Sequence, residues 1–398
     1  MAKVLLVDTN FSSVPIYRAL LAEGHEVHVV GGNPSDCLAR QAPRYWDLDY
    51  SDTTSLSVLV EEQEFDYLVP GCTDRSYASC VAVGHGRFPG IDSPSAMSAI
   101  SHKGEFRRVS AALGLPVPEL FPDPEAAIGR PVIVKPVDSF SGKGIAILPE
   151  GDRDAIGNAL AHARAASPTG GALIEEFVEG QLYSHSAFLA GHEVVSDFLV
   201  QEDGTANRFV VDTSRVLDPS GHRSLVGTLR ECVERLARHL GLVDGLLHTQ
   251  FIATGSRIRL IETTRRCPGD LYSQLVELST DYPYAKSYAL PFLGRAPLES
   301  QGGAIHPVMR HTISVPTAQA FDHVRFLREV WLQRYVPLAL VGDTLAASPR
   351  SRVAVVFCRE RDQDSLEALY ATTLRRELYA VSDGTGPTGT QPATTAAA

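Results

Sequence analysis

No apolar run in this chain approaches the ~20 residues that a membrane-spanning helix needs. The short apolar stretch at its start meets Asp8 too soon for a secretion signal. The cytoplasm is therefore the expected location, with no membrane partner. Basic charge is scarce too: 36 Lys and Arg face 47 Asp and Glu, a net charge of -11, the wrong sign for gripping a phosphate backbone. Nucleic acid is not an expected partner. The six cysteines contain no Cys-x-x-Cys pair and read as buried or incidental thiols, not as a disulfide framework or zinc site. Two nucleotide signatures are missing as well. The Gly142-Lys143 pair lacks the glycine five positions earlier, where Val137 stands, and the following Ser or Thr, where Gly144 stands, so it is not a P-loop. No glycine follows the first strand, whose next residues are Asp8 to Ser13, which removes the dinucleotide fingerprint. Internal repeats are absent.

What remains is a globular chain of 398 residues with 44% hydrophobic composition, enough for two or three structural units. Residues 1–94 alternate strand and helix signals: strands at 3–7, 25–30 and 67–69, helices at 14–23 and 53–64. That alternation predicts a small parallel α/β sheet, whose ligands would sit beyond the strand ends at Asp8 to Ser12 and Gly71 to Arg75. Asp8, Thr73 and Asp74 read equally well as helix caps. A single helix is expected over 95–113, carrying Lys103. Strands follow at 132–135 and 145–148, a helix at 153–166, then an antiparallel set at 172–178, 183–190, 193–201 and 208–216. A helix over 224–240 and a hairpin of 245–253 with 257–262 complete the central part. The rest is a mixed segment to 381, and 382–398, without large apolar side chains, is expected to be disordered.

Chemistry concentrates in four segments. Lys135 ends a β-branched strand, and Ser139, Ser141, Gly142, Lys143 and Gly144 then offer hydroxyls, an ammonium and accessible backbone N–H groups, as a chain of phosphates requires. An ordinary glycine hairpin is the plain alternative. The run Glu175, Glu176, Phe177, Val178 ends a buried strand whose edge can present backbone groups to a purine. Gln250, Glu262 and Thr264 supply oxygen ligands of the kind Mg²⁺ takes, the last two sharing a strand face. Lys103 is a second cation ahead of the loop. An ion pair is the plain reading of Glu262 with Arg266, and His185, His222 and His248 lack metal spacing. Cys267, beside Arg266, has no local histidine partner for thiol catalysis.

In order and kind, these segments resemble the ATP-grasp superfamily, specifically its carboxylate-amine ligases, across most of the chain. The resemblance implies an N-terminal parallel α/β domain (1–94) and a two-subdomain ATP-grasp fold (95–171 and 172–300), followed by a C-terminal mixed segment (301–381) and the tail. It implies that Lys103 and Lys135 hold ATP phosphates, that Ser141 to Gly144 form a mobile loop, and that Glu175 to Val178 hold adenine. Gln250, Glu262 and Thr264 would bind Mg²⁺ or Mn²⁺, with Arg266 catalytic and Arg215 a further contact to an acyl phosphate. Two positions depart from the family pattern. Thr264 replaces an asparagine, and Leu182 replaces the acidic residue that holds ribose, leaving that role to Glu179 or Gln181. The implied reaction activates a small carboxylate, such as an amino acid, as an acyl phosphate and joins it to an amine with release of ADP and phosphate. A carboxylase or phosphotransferase and a non-catalytic nucleotide-binding relative are the alternatives. A homodimer is open, since two-fold dimers are the commonest assembly of soluble enzymes.

Overall fold

The computed structural model describes residues 1–138 and 142–385. Ser139, Ser141 and the tail from 386 onward lie outside the described residues. The chain divides into two compact units, one of Met1–Glu202 with Ser214–Val308 and one of Asp203–Thr213 with the chain from Met309 onward.

The first unit opens with strands β1 (Lys3–Val7), β2 (Glu26–Gly31), β3 (Tyr45–Asp47) and β4 (Tyr67–Pro70). They form a parallel sheet in the order β3-β2-β1-β4. Its helices are α1 (Val14–Ala22), α2 (Cys37–Gln41), α3 (Thr53–Glu62) and α4 (Asp74–Gly84). Val4 to Val7 are fully buried, as a strand covered on both faces requires.

The helix expected over 95–113 is in fact two, α5 (Pro94–Ser101) and α6 (Lys103–Ala112). His102 adopts an extended conformation between them, with φ -84° and ψ 111°. The extended His102 serves both helices: its N–H donates to the Ser98 carbonyl at 3.0 Å, closing α5, and its carbonyl accepts from the Phe106 N–H at 2.9 Å, opening α6.

Strands β5 (Leu120–Phe121), β6 (Val132–Pro136), β7 (Ala146–Leu148) and β8 (Ala172–Glu176) make an antiparallel sheet ordered β5-β8-β6-β7. Helix α7 (Arg153–Ala166) packs Ile156, Leu160 and Ala163 against Val132, Val134 and Ile174. Five further strands are ordered β13-β12-β9-β10-β11: β9 (Gln181–Ala190), β10 (Glu193–Asp203), β11 (Thr213–Val216), β12 (Gly245–Thr254) and β13 (Arg257–Thr264). One face of this sheet packs Ala187, Leu189, Leu247, Phe251 and Leu260 on α8 (Arg223–Leu240). The alternate residues Ser184, Ser186, His248 and Gln250 are left for the opposite, polar face. The strand expected over 208–216 is confined to Thr213–Val216. Asp212 accepts from the Thr205 and Ala206 backbone N–H groups, so the chain before it closes a turn and does not extend. Helices α9 (Tyr272–Thr280) and α10 (Tyr284–Ala289) complete the unit.

The second unit holds β14 (Val308–Ile313), β15 (Gln319–Ala320), β16 (His323–Phe326), β17 (Trp331–Pro337), β18 (Thr344–Leu345), β19 (Ala354–Arg359), α11 (Gln363–Leu374) and β20 (Tyr379–Ser382). Its strands associate as β14-β19-β17, β15-β18 and β16-β20. Met309, Ile313, Val356, Leu366, Leu369 and Tyr370 lie in its core. Among the described residues no helix is long and apolar enough to cross a membrane.

Candidate active site

Lys135 lies in β6 directly alongside β8, and Glu175 one strand away receives it: the Lys135 Nζ donates to Glu175 Oε2 at 2.7 Å. Both side chains are almost sealed, at 9% and 1% exposure. Strand alternation turns Glu176 the other way, where its carboxylate accepts from the Glu119 backbone N–H and lies 3.5 Å from the Arg259 Nε. Beyond the strand end, Phe177 and Val178 are half-buried, and the Phe177 N–H donates to the Pro131 carbonyl at 3.0 Å. Burial lowers the proton affinity of Lys135, opposed by Glu175 and reinforced by the positive charges of Arg107 and Lys103. Glu175 is disfavoured as an anion by burial, yet Lys135 and Arg107 outweigh this and hold its carboxyl below the usual range. Lys103, at the first position of α6, is therefore electrostatically part of the cluster. In the glycine loop, Gly142 and Gly144 take left-handed φ values of 73° and 77°, open to glycine at little cost, and Lys143 is exposed.

On the polar face of β9, β12 and β13, register pairs Gln250 with Glu262 and His248 with Thr264. The ladder shifts between Gln250 and Phe251, giving β13 an extra residue at Ile261. That bulge re-phases the strand: Leu260 points into the α8 core while Glu262 and Thr264 project with Gln250. The Gln250 Nε2 donates to Glu202 Oε2 at 2.6 Å, and the Ser184 hydroxyl donates to Glu202 Oε1 at 2.9 Å. This leaves the Gln250 carbonyl oxygen for a cation. Glu262 is exposed, and its carboxylate has no hydrogen-bond partner among the described residues. The Thr264 hydroxyl donates to Asp74 Oδ1 at 3.1 Å and accepts from the Arg266 backbone N–H at 3.4 Å, which leaves one lone pair for a cation. Among the described residues no three His, Cys, Asp or Glu side chains cluster as a metal cage. One carboxylate with two neutral oxygens instead suits a hard cation that shares its shell with water and phosphate, so the residues fit Mg²⁺.

Arg266 is gripped by Asp74 in a fork, Nε to Oδ1 at 2.9 Å and Nη2 to Oδ2 at 3.2 Å. Crowding by protein disfavours the Asp74 anion, but Arg266, Thr264 and Lys103 hold its carboxyl below its ordinary value. The two loops expected at the ends of β1 and β4 thus divide in role. Thr73 caps α4 by accepting from the Ser76 N–H at 3.1 Å, and Asp8 is buried, bonded to Ser13 and the Cys72 N–H. Asp74 reaches Thr264 at the end of β13 and Arg266 just beyond it. Arg215, on β11, donates Nε and Nη2 to Gln201 Oε1 at 3.0 and 2.8 Å.

The histidines are structural. His185 bonds Asp197 at 2.9 Å, the His222 ring lies on the Asp218 carbonyl, and His248 packs edge-on to Tyr272 with its pKa lowered to about 3 by burial and by Arg266. Burial and the neighbouring Cys72 thiol push Cys267 well above the ordinary thiol range, which makes it a poor nucleophile. Near Leu182, the Gln181 amide donates to the Leu182 and Glu202 carbonyls. Two members of this constellation escape sequence reasoning, Arg107 and Glu202. The signal for Arg107 was present: it stands in the buried phase of α6, next to Phe106 and four residues after Lys103.

Residues 128–274 match the ATP-grasp domain family. This chain carries an ATP-grasp domain. The match spans the Lys135 and Glu175 strands, the glycine loop and the β12–β13 pair. The large chain of carbamoyl phosphate synthase from Streptomyces griseus is 26% identical over 325 residues, covering 76% of this chain. The chain spans only 28% of that relative's length. Among solved structures, the L-amino acid ligase from Bacillus licheniformis superposes with a TM-score of 0.75 at 16% identity, over 96% of this chain and 98% of that one. The biotin carboxylase domain of Hydrogenobacter thermophilus 2-oxoglutarate carboxylase, in complex with magnesium ADP and bicarbonate, superposes at 0.73 and 15% identity, over 96% and 90%. At these identities the likeness establishes the fold around the ATP-grasp domain.

Proposed function

We propose that the protein is an ADP-forming carboxylate-amine ligase acting on small metabolites, with an amino acid as the carboxylate or the amine. The observation that carries this reading is the fork-gripped Arg266 beside Gln250, Glu262 and Thr264, on a sheet whose domain also presents the Lys135 cluster. A carboxylate attacking a terminal phosphate brings two anions together, so cations must stand where that charge accumulates. Lys103 and Lys135 hold the phosphates, and the backbone of Gly142 to Gly144 covers them. Gln250, Glu262 and Thr264 would hold Mg²⁺ or Mn²⁺, which supplies charge neutralisation between the reacting anions when bound. Arg266 stabilises the acyl phosphate as it forms, and Asp74 fixes the guanidinium in place. Loop closure keeps water from the acyl phosphate until the amine attacks. The structure of an L-amino acid ligase among the fold relatives supports the substrate class.

The test is a panel of amino acids and amines offered to purified protein with ATP and Mg²⁺. Release of ADP and phosphate that requires both partners is expected. Formation of AMP and pyrophosphate, or turnover that needs bicarbonate and no amine, overturns the proposal. Glu262→Gln should lower turnover by ~100-fold or more and weaken Mn²⁺ binding measured by electron paramagnetic resonance.

A further inference from the structure

Arg107 is buried in α6 with its side chain 1% exposed, and its Nη2 donates to Glu175 Oε2 at 3.3 Å. Lys135 occupies the same carboxylate oxygen at 2.7 Å. Two cations therefore share one oxygen of one anion, and the sealed cluster carries a net charge of +1. Its hydrogen bonding is incomplete: Arg107 Nε and Nη1 and Glu175 Oε1 are buried without partners among the described residues.

The same chain shows what a purely structural buried arginine looks like. Arg265, 3% exposed, donates Nε to Asp92 Oδ2 at 2.6 Å, Nη1 to the Leu246 carbonyl at 2.7 Å and Nη2 to the Val243 carbonyl at 2.6 Å. Asp92 is likewise filled, by the Tyr77 hydroxyl at 2.6 Å and the Val243 N–H at 2.9 Å. Every group there is matched. Around Glu175 the fold has instead buried a second cation where one would already neutralise the carboxylate, and has left donors open.

A second cation makes sense if the first has to leave. We infer that Arg107 is a positioning residue for the nucleotide: it is the permanent counter-ion of Glu175, which frees Lys135 to turn from that carboxylate to the bound nucleotide. This rests on the ATP reading proposed above. Without Arg107, moving Lys135 would strand a buried, unpaired carboxylate, so Lys135 would stay locked to Glu175 and be lost to the ligand. With Arg107 in place, Glu175 is paired in both states.

The experiment compares wild type, Arg107→Met, Arg107→Lys and the double variant Arg107→Met with Glu175→Gln, each checked for folding by circular dichroism. Mg²⁺–ADP binding is measured by calorimetry, and KM for ATP and kcat are measured separately. Arg107→Met should weaken Mg²⁺–ADP by ~10-fold and raise KM for ATP similarly, with kcat at saturating ATP within a few-fold of wild type. Arg107→Lys should restore most of the affinity. The double variant should bind better than Arg107→Met alone, because a neutral amide no longer holds Lys135. A folded Arg107→Met that binds as wild type overturns the inference, and so does an Arg107→Lys no better than Met. If Arg107→Met fails to fold, the Lys variant and the double variant carry the same comparison against wild type. Wild-type protein that binds no Mg²⁺–ADP overturns the ATP reading itself, a failure visible before any variant is made.

Discussion

Consecutive arginines on one strand end divide two tasks. Arg265 points inward and ties the Val243–Leu246 backbone to Asp92, while Arg266 points to the polar face and meets Asp74. Neither task is readable locally, because Asp92 and Asp74 lie far back in the sequence. Spacing did place Glu262 and Thr264 on one face, since two residues is the strand period, but the bulge at Ile261 that aims them needs the ladder to be seen. In the second unit, His311 bonds Thr213 and Tyr379 at 2.7 and 3.1 Å. Burial brings its pKa down to about 4 from 6.5, Asp212 opposing and Arg310 and Arg376 assisting. A folded-state value below the unfolded one means that the unfolded chain binds the extra proton, so this stability is complete above pH 6.5 and declines as the pH falls toward 4. The single group should remove about 1 kcal/mol between pH 7 and 5.5. Urea unfolding of wild type and His311→Gln at both pH values should show a shallower decline in the variant. Identical slopes would place the acid sensitivity elsewhere.

Elements were legible where their signals are local. The α/β alternation of the first strands follows from buried apolar runs, and α7 keeps its expected bounds because Asp152 caps it by accepting from the Ala155 N–H at 2.7 Å. The break at His102 was hidden because both halves are good helix sequence and buried Ile100 and Arg107, seven apart, fit one face of a continuous helix. The turn before Thr213 was hidden because the Asp212 carboxylate satisfies backbone donors that a strand would have used. In the glycine loop, the local conformation sets a test. A Cβ on Gly144 would meet the Ala166 Cβ at 2.5 Å and Pro136 Cγ at 2.9 Å, at a φ of +77°. Gly129, at φ +72°, has nothing within 4 Å. Gly144→Ala should therefore cost about 2 kcal/mol, and Gly129→Ala about 1, in urea unfolding. The first should also raise KM for ATP while the second does not. Equal costs would mean that the loop packs less closely than these contacts require.

For the molecule as a whole, a ligand that binds only the folded chain stabilises it by mass action. Mg²⁺–ADP at 100 times its dissociation constant should add about 2.7 kcal/mol and raise the thermal midpoint by several degrees, with AMP giving less. A midpoint that ignores Mg²⁺–ADP across that range would remove the nucleotide from the reading. The net charge of -11 makes the local gathering of Lys103, Arg107, Lys135 and Arg266 all the more a property of the fold, because composition runs against it. Two of those cations, Lys103 and Arg107, stand one turn apart on α6, and the extended His102 lets that helix start afresh after α5. Both therefore ride a single rod whose rotation owes nothing to the helix before it. An inserted residue ahead of Lys103 is absorbed by the break, whereas one placed within α6 before Arg107 swings the two apart by about 100°. The spacing between these two cations therefore tolerates no change in length, whereas the segment ahead of them does.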